Sequence, residues 1–177
     1  EDAGYNATWN YVRSGSVHSV VRLAQRLTAL TAGGGSGVLS VLEHNRGTLE
    51  HFEARRQAQP ALLKALSSCS CLSSLKLSWL GEDEKSTEAF SALLAAVGPH
   101  LTSVTARSFS HAQVSLLFRA PLPSLRAFRG AAPEDWSLVG RCPHLTSLSL
   151  WRRTVSLEHL IALSQALPSL CQLSELE

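Results

Sequence analysis

The chain has no methionine, few aromatic residues and few charges. Of its 177 residues, 6% are aromatic and 17% are charged, whereas 45% are hydrophobic. This apolar content argues against a disordered chain, and a chain of this length can bury a substantial core. No unbroken apolar stretch approaches the roughly 18 residues that a membrane helix needs, so we expect a soluble protein without a membrane partner.

The opening residues of the chain are those expected of a segment from a longer protein. It does not begin with methionine, and no basic segment followed by an apolar one opens it. A secretory signal would show that pattern. Repeat folds also need polar caps at both ends, and the phrases described below continue to the end of the chain. Both observations predict that the chain is part of a longer protein.

Cysteine is scarce, and its spacing fits neither a zinc ribbon nor the disulfide framework of a small secreted protein. The four residues are Cys69, Cys71, Cys142 and Cys171. We interpret Cys69 and Cys142 as buried structural thiols, because each lies three residues before a leucine of the repeat described below. The sequence thus predicts no metal, no cofactor and an intracellular location, in the cytoplasm rather than the nucleus.

Catalytic patterns are missing as well. The seven histidines are scattered, and the acidic residues cluster in loops and helix starts, where capping explains them. The run from Gly33 to Gly37 lacks the lysine and the serine or threonine that end a phosphate-binding loop, and we interpret it as a native turn rather than a linker. We therefore predict that the chain is not an enzyme and has no small-molecule substrate.

What the chain does contain is one short phrase, repeated seven times. It consists of an apolar residue, two spacers, a second apolar residue, one spacer and a third small or apolar residue, with first leucines 20 to 29 residues apart. The phrases predict strands near 27–32, 49–54, 72–77, 101–106, 125–130, 145–150 and 170–175. Between them, apolar residues recur every three or four positions, which is typical of helices. The pattern predicts an α/β fold with a parallel sheet.

Proline marks the start of four phrases. It stands two positions before the first leucine at Pro99, Pro123, Pro143 and Pro168. Because proline has no amide hydrogen, it suits the residue ahead of a strand. One crossover, over 133–141, is short, and it predicts a single helical turn or a 3-10 segment.

These phrases resemble the leucine-rich repeat superfamily, whose period is roughly 20 to 29 residues. One phrase is similar to the cysteine-containing repeat subtype of many F-box proteins, namely Cys142-Pro-His-Leu145-Thr-Ser-Leu148-Ser-Leu150. The chain also resembles the ribonuclease-inhibitor-like subtype. The resemblance implies a right-handed solenoid, a horseshoe arc of about seven repeats with a parallel concave sheet and helices on the convex side. We expect one domain over 1–177, in which 1–13 is a degenerate N-terminal repeat or cap.

In such a solenoid the first, fourth and sixth phrase positions face the core, and the second, third and fifth line the open face. The open positions are mostly small and neutral, but arginine and tryptophan stand in or just after several phrases. The predicted partner-binding residues are Arg55, Arg56, Trp79, Arg107, Arg126, Arg129, Trp151, Arg152 and Arg153. Both residue types are enriched at binding hot spots. The alternative is that the tryptophans cover core edges and the arginines are merely solvated.

The sequence therefore predicts a non-catalytic protein–protein interaction scaffold, either an adaptor or a structural subunit of a larger multiprotein complex. The arginines favour a protein partner with an acidic surface. The alternative is a nucleic-acid-binding module that contacts RNA through the same arginines. A net charge of only +2 and a pI near 8.5 weigh against that alternative, since nucleic-acid binding depends on a concentrated basic field.

Overall fold

The structure is a computed structural model that describes residues 9–12, 27–33, 37–151 and 156–176. Over these residues the chain forms one sheet of eight strands in sequence order, joined by seven parallel pairings. The strands are Trp9–Val12 (β1), Ala29–Ala32 (β2), His51–Ala58 (β3), Ser74–Leu80 (β4), Ser103–Ala106 (β5), Ala127–Gly130 (β6), Ser147–Leu150 (β7) and Glu175–Leu176 (β8). The predicted α/β fold with a parallel sheet is confirmed.

Helices form most of the described connections between strands. They are Gly37–Asn45 (α1), Pro60–Leu66 (α2), Glu84–Val97 (α3), His111–Arg119 (α4) and Leu157–Ala166 (α5), with 3-10 segments at Gly98–His100, Trp136–Arg141 and Leu167–Ser169. The short crossover between β6 and β7 is the 3-10 segment, as its length predicts. Because consecutive strands are neighbours and crossovers between parallel strands share one hand, the described crossovers cover one face of the sheet and leave its other face open.

Burial follows the phrase positions. In β5, for example, Val104 and Ala106 are buried, whereas Ser103 and Thr105 between them are partly exposed. The buried positions of successive strands join the inner faces of the helices in one core. Among its largest fully buried side chains are Phe118 of α4 and Phe128 of β6. The alternation of the sequence thus determines which face of the sheet is packed.

The last strand lies further along the chain than predicted. β8 pairs Ser147 with Glu175, whereas a strand near 170–175 would place Gln172 opposite Ser147. The predicted position is therefore wrong by three residues. Leu173, not Leu170, takes the first position of the last phrase.

The reason is an additional turn before this strand. Pro168 lies in the 3-10 segment Leu167–Ser169, after which the amide of Leu173 donates to the carbonyl of Leu170 at 3.0 Å and closes a second turn. Leu170 is buried, but it packs in the turn rather than in a strand. Proline here marks the end of the helix, and the strand begins one turn later.

Strand β1 falls inside the segment predicted to be a degenerate N-terminal repeat or cap. It pairs in parallel with β2, with Trp9 opposite Leu30 and Val12 opposite Ala32. The rest of 1–13, residues 14–26 and residues 34–36 of the glycine-rich turn lie outside the described residues. No helix in the described ranges is both long and apolar enough to cross a membrane.

The four cysteines divide into two buried and two exposed thiols. Cys69 and Cys142 are buried, whereas Cys71 and Cys171 are exposed. Burial raises the pKa of Cys142 to about 11, and burial together with the nearby Cys71 raises the pKa of Cys69 to about 11. In the part of the chain that the structure describes, no group of three or more histidine, cysteine or acidic residues is placed to hold a metal ion.

This division predicts the pattern of thiol labelling. Because the thiolate is the reactive form, Cys71 and Cys171 are expected to react with iodoacetamide at pH 8, and Cys69 and Cys142 to stay protected until the chain unfolds. Peptide mass spectrometry after labelling with and without urea measures this directly. Rapid labelling of Cys69 or Cys142 in the native protein would contradict their place in the core.

Candidate partner-binding site

The open face of the sheet carries a row of side chains at the fifth phrase position. The parallel register aligns them across six strands, in the order Thr31, Glu53, Lys76, Thr105, Arg129 and Ser149. Neighbouring strands lie about 4.8 Å apart, so each side chain of the row is next to the following one. The residues at the two ends of the row are neutral, and its charged residues, Glu53, Lys76 and Arg129, lie between them.

An open depression of about 530 Å³ lies over the middle of this row. The described residues that line it are Lys76, Thr105, Arg107, Arg129 and Trp151, and we call it the basic depression. Lys76 and Arg129 lie on the strands either side of Thr105, and Arg107 follows Thr105 by two residues. The amide of Arg107 donates to the carbonyl of Leu77 at 3.0 Å, which continues the ladder past β5. Three cations thus surround one short side chain.

Trp151 holds Arg129 in place. The guanidinium carbon of Arg129 lies 4.9 Å from the centre of the Trp151 ring, a distance at which a cation is attracted to the face of the ring. The indole nitrogen of Trp151 in turn donates to the carbonyl oxygen of Ala106 at 3.4 Å. The tryptophan is therefore attached to a strand two places away, and it restricts the arginine beside it.

The charge of the basic depression is only partly neutralised. One oxygen of Glu53 forms salt bridges with Lys76 at 3.2 Å and with Arg55 at 3.4 Å. No carboxylate among the described residues forms a salt bridge with Arg107 or Arg129. Within the described part of the chain, the depression therefore presents two exposed guanidinium groups that no carboxylate neutralises.

The structure brings three of the nine predicted site residues together, namely Arg107, Arg129 and Trp151. Arg152 and Arg153 lie outside the described residues. Arg126 is exposed, but it precedes β6 at the other end of the strand, where its carbonyl accepts from the amides of Thr146 and Ser147. It is not among the residues that line the basic depression.

The remaining predicted residues form a second group beside a bulge in β3. Between Ala54 and Gln57 the register shifts, so that three steps along β3 match two along β4. Arg55 and Arg56 lie in this bulge and are exposed, and Trp79 opposite Gln57 is 56% exposed. The exposure of Trp79 disfavours the view that it merely covers a core edge. Among the described residues, six of the predicted ones therefore form two groups, and Arg126 belongs to neither.

Sequence reasoning left out two residues of the basic depression, Lys76 and Thr105. Both occupy fifth phrase positions, and the residues at the open positions of the phrases are mostly small and neutral. Aligning the phrases position by position is enough to place Lys76 and Arg129 on either side of Thr105. That alignment is the signal that identifies them.

No protein-family model matches the chain, and no curated protein matches its sequence. The coarse class is that of an α/β protein with a single open parallel sheet. The function is therefore inferred from the register of the strands and from the charges of the basic depression.

Proposed function

We propose that the chain is a leucine-rich repeat solenoid with a concave open face, and that it acts as a non-catalytic protein–protein interaction scaffold. It serves as an adaptor or as a structural subunit of a larger assembly. The recurring phrase, the sequential strand order and the alignment of equivalent positions in one row support this proposal. Stacked repeats create extended surfaces of this kind, which bind other proteins.

The observation that carries the proposal is the basic depression. It is wide open on the uncovered face of the sheet, whereas a small-molecule site is usually a cleft that encloses its ligand. It combines arginine and tryptophan, the residue types that dominate binding energy at interfaces. Its unneutralised guanidinium groups favour a partner that places acidic side chains against the sheet.

The proposal predicts that the double variant Arg107→Gln/Arg129→Gln loses its partner. Affinity capture from cell extract with quantitative mass spectrometry is expected to recover at least about tenfold less of the principal wild-type partner, since each hydrogen bond to a charged group contributes about 1.5–3 kcal/mol. Arg126→Gln is the matched control, because Arg126 is an exposed arginine outside the depression, and it is expected to capture partner normally.

Two results would count against this function. Equal capture by the double variant would show that the basic depression is not the binding site. Capture that disappears after ribonuclease treatment, together with RNA binding that persists at about 150 mM salt, would favour the nucleic-acid alternative.

A further inference from the structure

We propose that the basic depression binds a phosphorylated side chain of the partner, with the phosphate seated above Thr105 between Lys76, Arg107 and Arg129. This inference rests on the proposed function and specifies the chemistry of its partner. It follows from three properties of the depression: the spacing of the cations, the charge that they leave unneutralised and the fixed position of one of them.

The spacing suits a group of phosphate size. Lys76 and Arg129 are two strands apart, so their Cα atoms are separated by about 9.6 Å, and Arg107 lies about 6.8 Å along the strand from Thr105. Long side chains at these three corners can point their charged ends at one position above the short threonine. Thr105 itself lines the depression and carries a hydroxyl that can donate there.

The charge suits a dianion better than a carboxylate. A phosphorylated serine, threonine or tyrosine carries about −1.5 to −2 charges at pH 7 and offers three acceptor oxygens. Glu53 forms salt bridges with both Lys76 and Arg55, so its single charge does not neutralise Arg107 and Arg129. Two guanidinium groups match two negative charges, whereas one glutamate or aspartate of the partner would neutralise only one of them.

The position of Arg129 is set before a ligand arrives. Its guanidinium lies against Trp151, whose indole is hydrogen-bonded to the backbone of β5. An arginine fixed in this way loses less conformational entropy on binding, and its planar fork can donate two parallel hydrogen bonds to a phosphate. A single compact cluster also fits one phosphate better than a nucleic-acid backbone, which needs a longer basic track.

Peptide libraries test the inference. The probes are labelled degenerate peptides with a central phosphoserine, phosphothreonine or phosphotyrosine, compared with libraries that carry glutamate or the unmodified residue there. Fluorescence anisotropy at about 150 mM salt is expected to show at least one phosphorylated library binding about tenfold more tightly than its glutamate counterpart, because a dianion gains one more charge-assisted contact.

Single substitutions in the full chain test whether phosphopeptides bind at the basic depression. Arg107→Gln and Arg129→Gln are each expected to weaken phosphopeptide binding about tenfold, equivalent to about 1.4 kcal/mol. Arg126→Gln is expected to bind as the wild type does. Circular dichroism of each variant shows whether it retains the fold, so a loss of binding can be separated from unfolding.

The outcomes distinguish this inference from the proposed function. Equal binding of the glutamate and phosphorylated libraries would overturn the phosphate site and leave an acidic-partner scaffold standing. No library binding, combined with partner capture that is unaffected by Arg107→Gln/Arg129→Gln, would overturn both. Tighter binding of phosphoinositide vesicles or of single-stranded RNA than of any phosphopeptide would overturn the choice of a phosphorylated protein.

Discussion

Replacing Phe128 by alanine is expected to destabilise the protein by about 3–5 kcal/mol, the usual cost of removing a buried aromatic ring. Phe128 is 1% exposed, and its ring meets that of Phe118 edge-on, with the centroids 4.9 Å apart. The strands on both sides of β6 are hydrogen-bonded to it, so the backbone has little freedom to close the cavity. The change removes both burial and an aromatic pair.

Urea unfolding followed by circular dichroism measures this effect, and thermal unfolding is expected to show a Tm lower by roughly 6 to 20 °C. Leu160→Ala is the control, because Leu160 is 52% exposed on α5 and its loss is expected to change stability by less than about 0.5 kcal/mol. A Phe128→Ala variant as stable as this control would show that the sheet face under α4 is not packed as described.

The strands could be predicted from the sequence because two independent signals coincide in them. Alternation of apolar and polar residues gives strands with one buried face, and the recurrence of the phrase gives their order. Parallel pairing follows, since a helical crossover returns each strand in the same direction. Equivalent phrase positions then lie side by side, as Thr105 does beside Arg129.

Boundaries were harder to predict, because several residues compete for the same role. Ser86 and Thr87 have side chains that commonly cap helices, as Asp83 does, yet α3 begins at Glu84 with Asp83 as its cap. Asp83 accepts from both the hydroxyl and the amide of Ser86, and these hydrogen bonds lower the pKa of its carboxyl group. Both residue types are good caps, and only the packing of the helix decides between them.

The candidate site was predictable in part for a similar reason. Arg107 and Trp151 are visible in the sequence because each follows a phrase directly. The contact from Trp151 to Ala106 spans 45 residues of sequence, and it exists only because two strand ends lie near each other across β6. No local pattern contains that information, so the fixed position of Arg129 emerges only from the folded sheet.

Replacing Gly130, the sixth residue of the phrase in β6, by leucine is expected to destabilise the protein by about 3 kcal/mol through overpacking. This is the second large effect that we expect. A Cβ atom at Gly130 would lie 2.7 Å from the ring of Phe128 and 3.0 Å from the carbonyl oxygen of Ala106. Both phrases with phenylalanine in the fourth position have a small sixth residue, whereas β4 carries Leu75 and Leu77 at these positions. The ring therefore occupies the space of the missing side chain.

This explanation predicts that the two positions are coupled. In the double variant Phe128→Ala/Gly130→Leu, the leucine enters volume that the ring vacates. The sum of the destabilisations of the two single variants is therefore expected to exceed that of the double variant by about 0.5–3 kcal/mol. Relief is incomplete because the carbonyl of Ala106 stays in place. Gly47→Leu is the matched control, since a Cβ atom there meets nothing within 4 Å, and its stability is expected to change little. If urea unfolding shows that the free-energy changes of the two single variants are additive, Phe128 is not the reason for glycine at position 130. The nearby backbone of β5 would then be what excludes a side chain there.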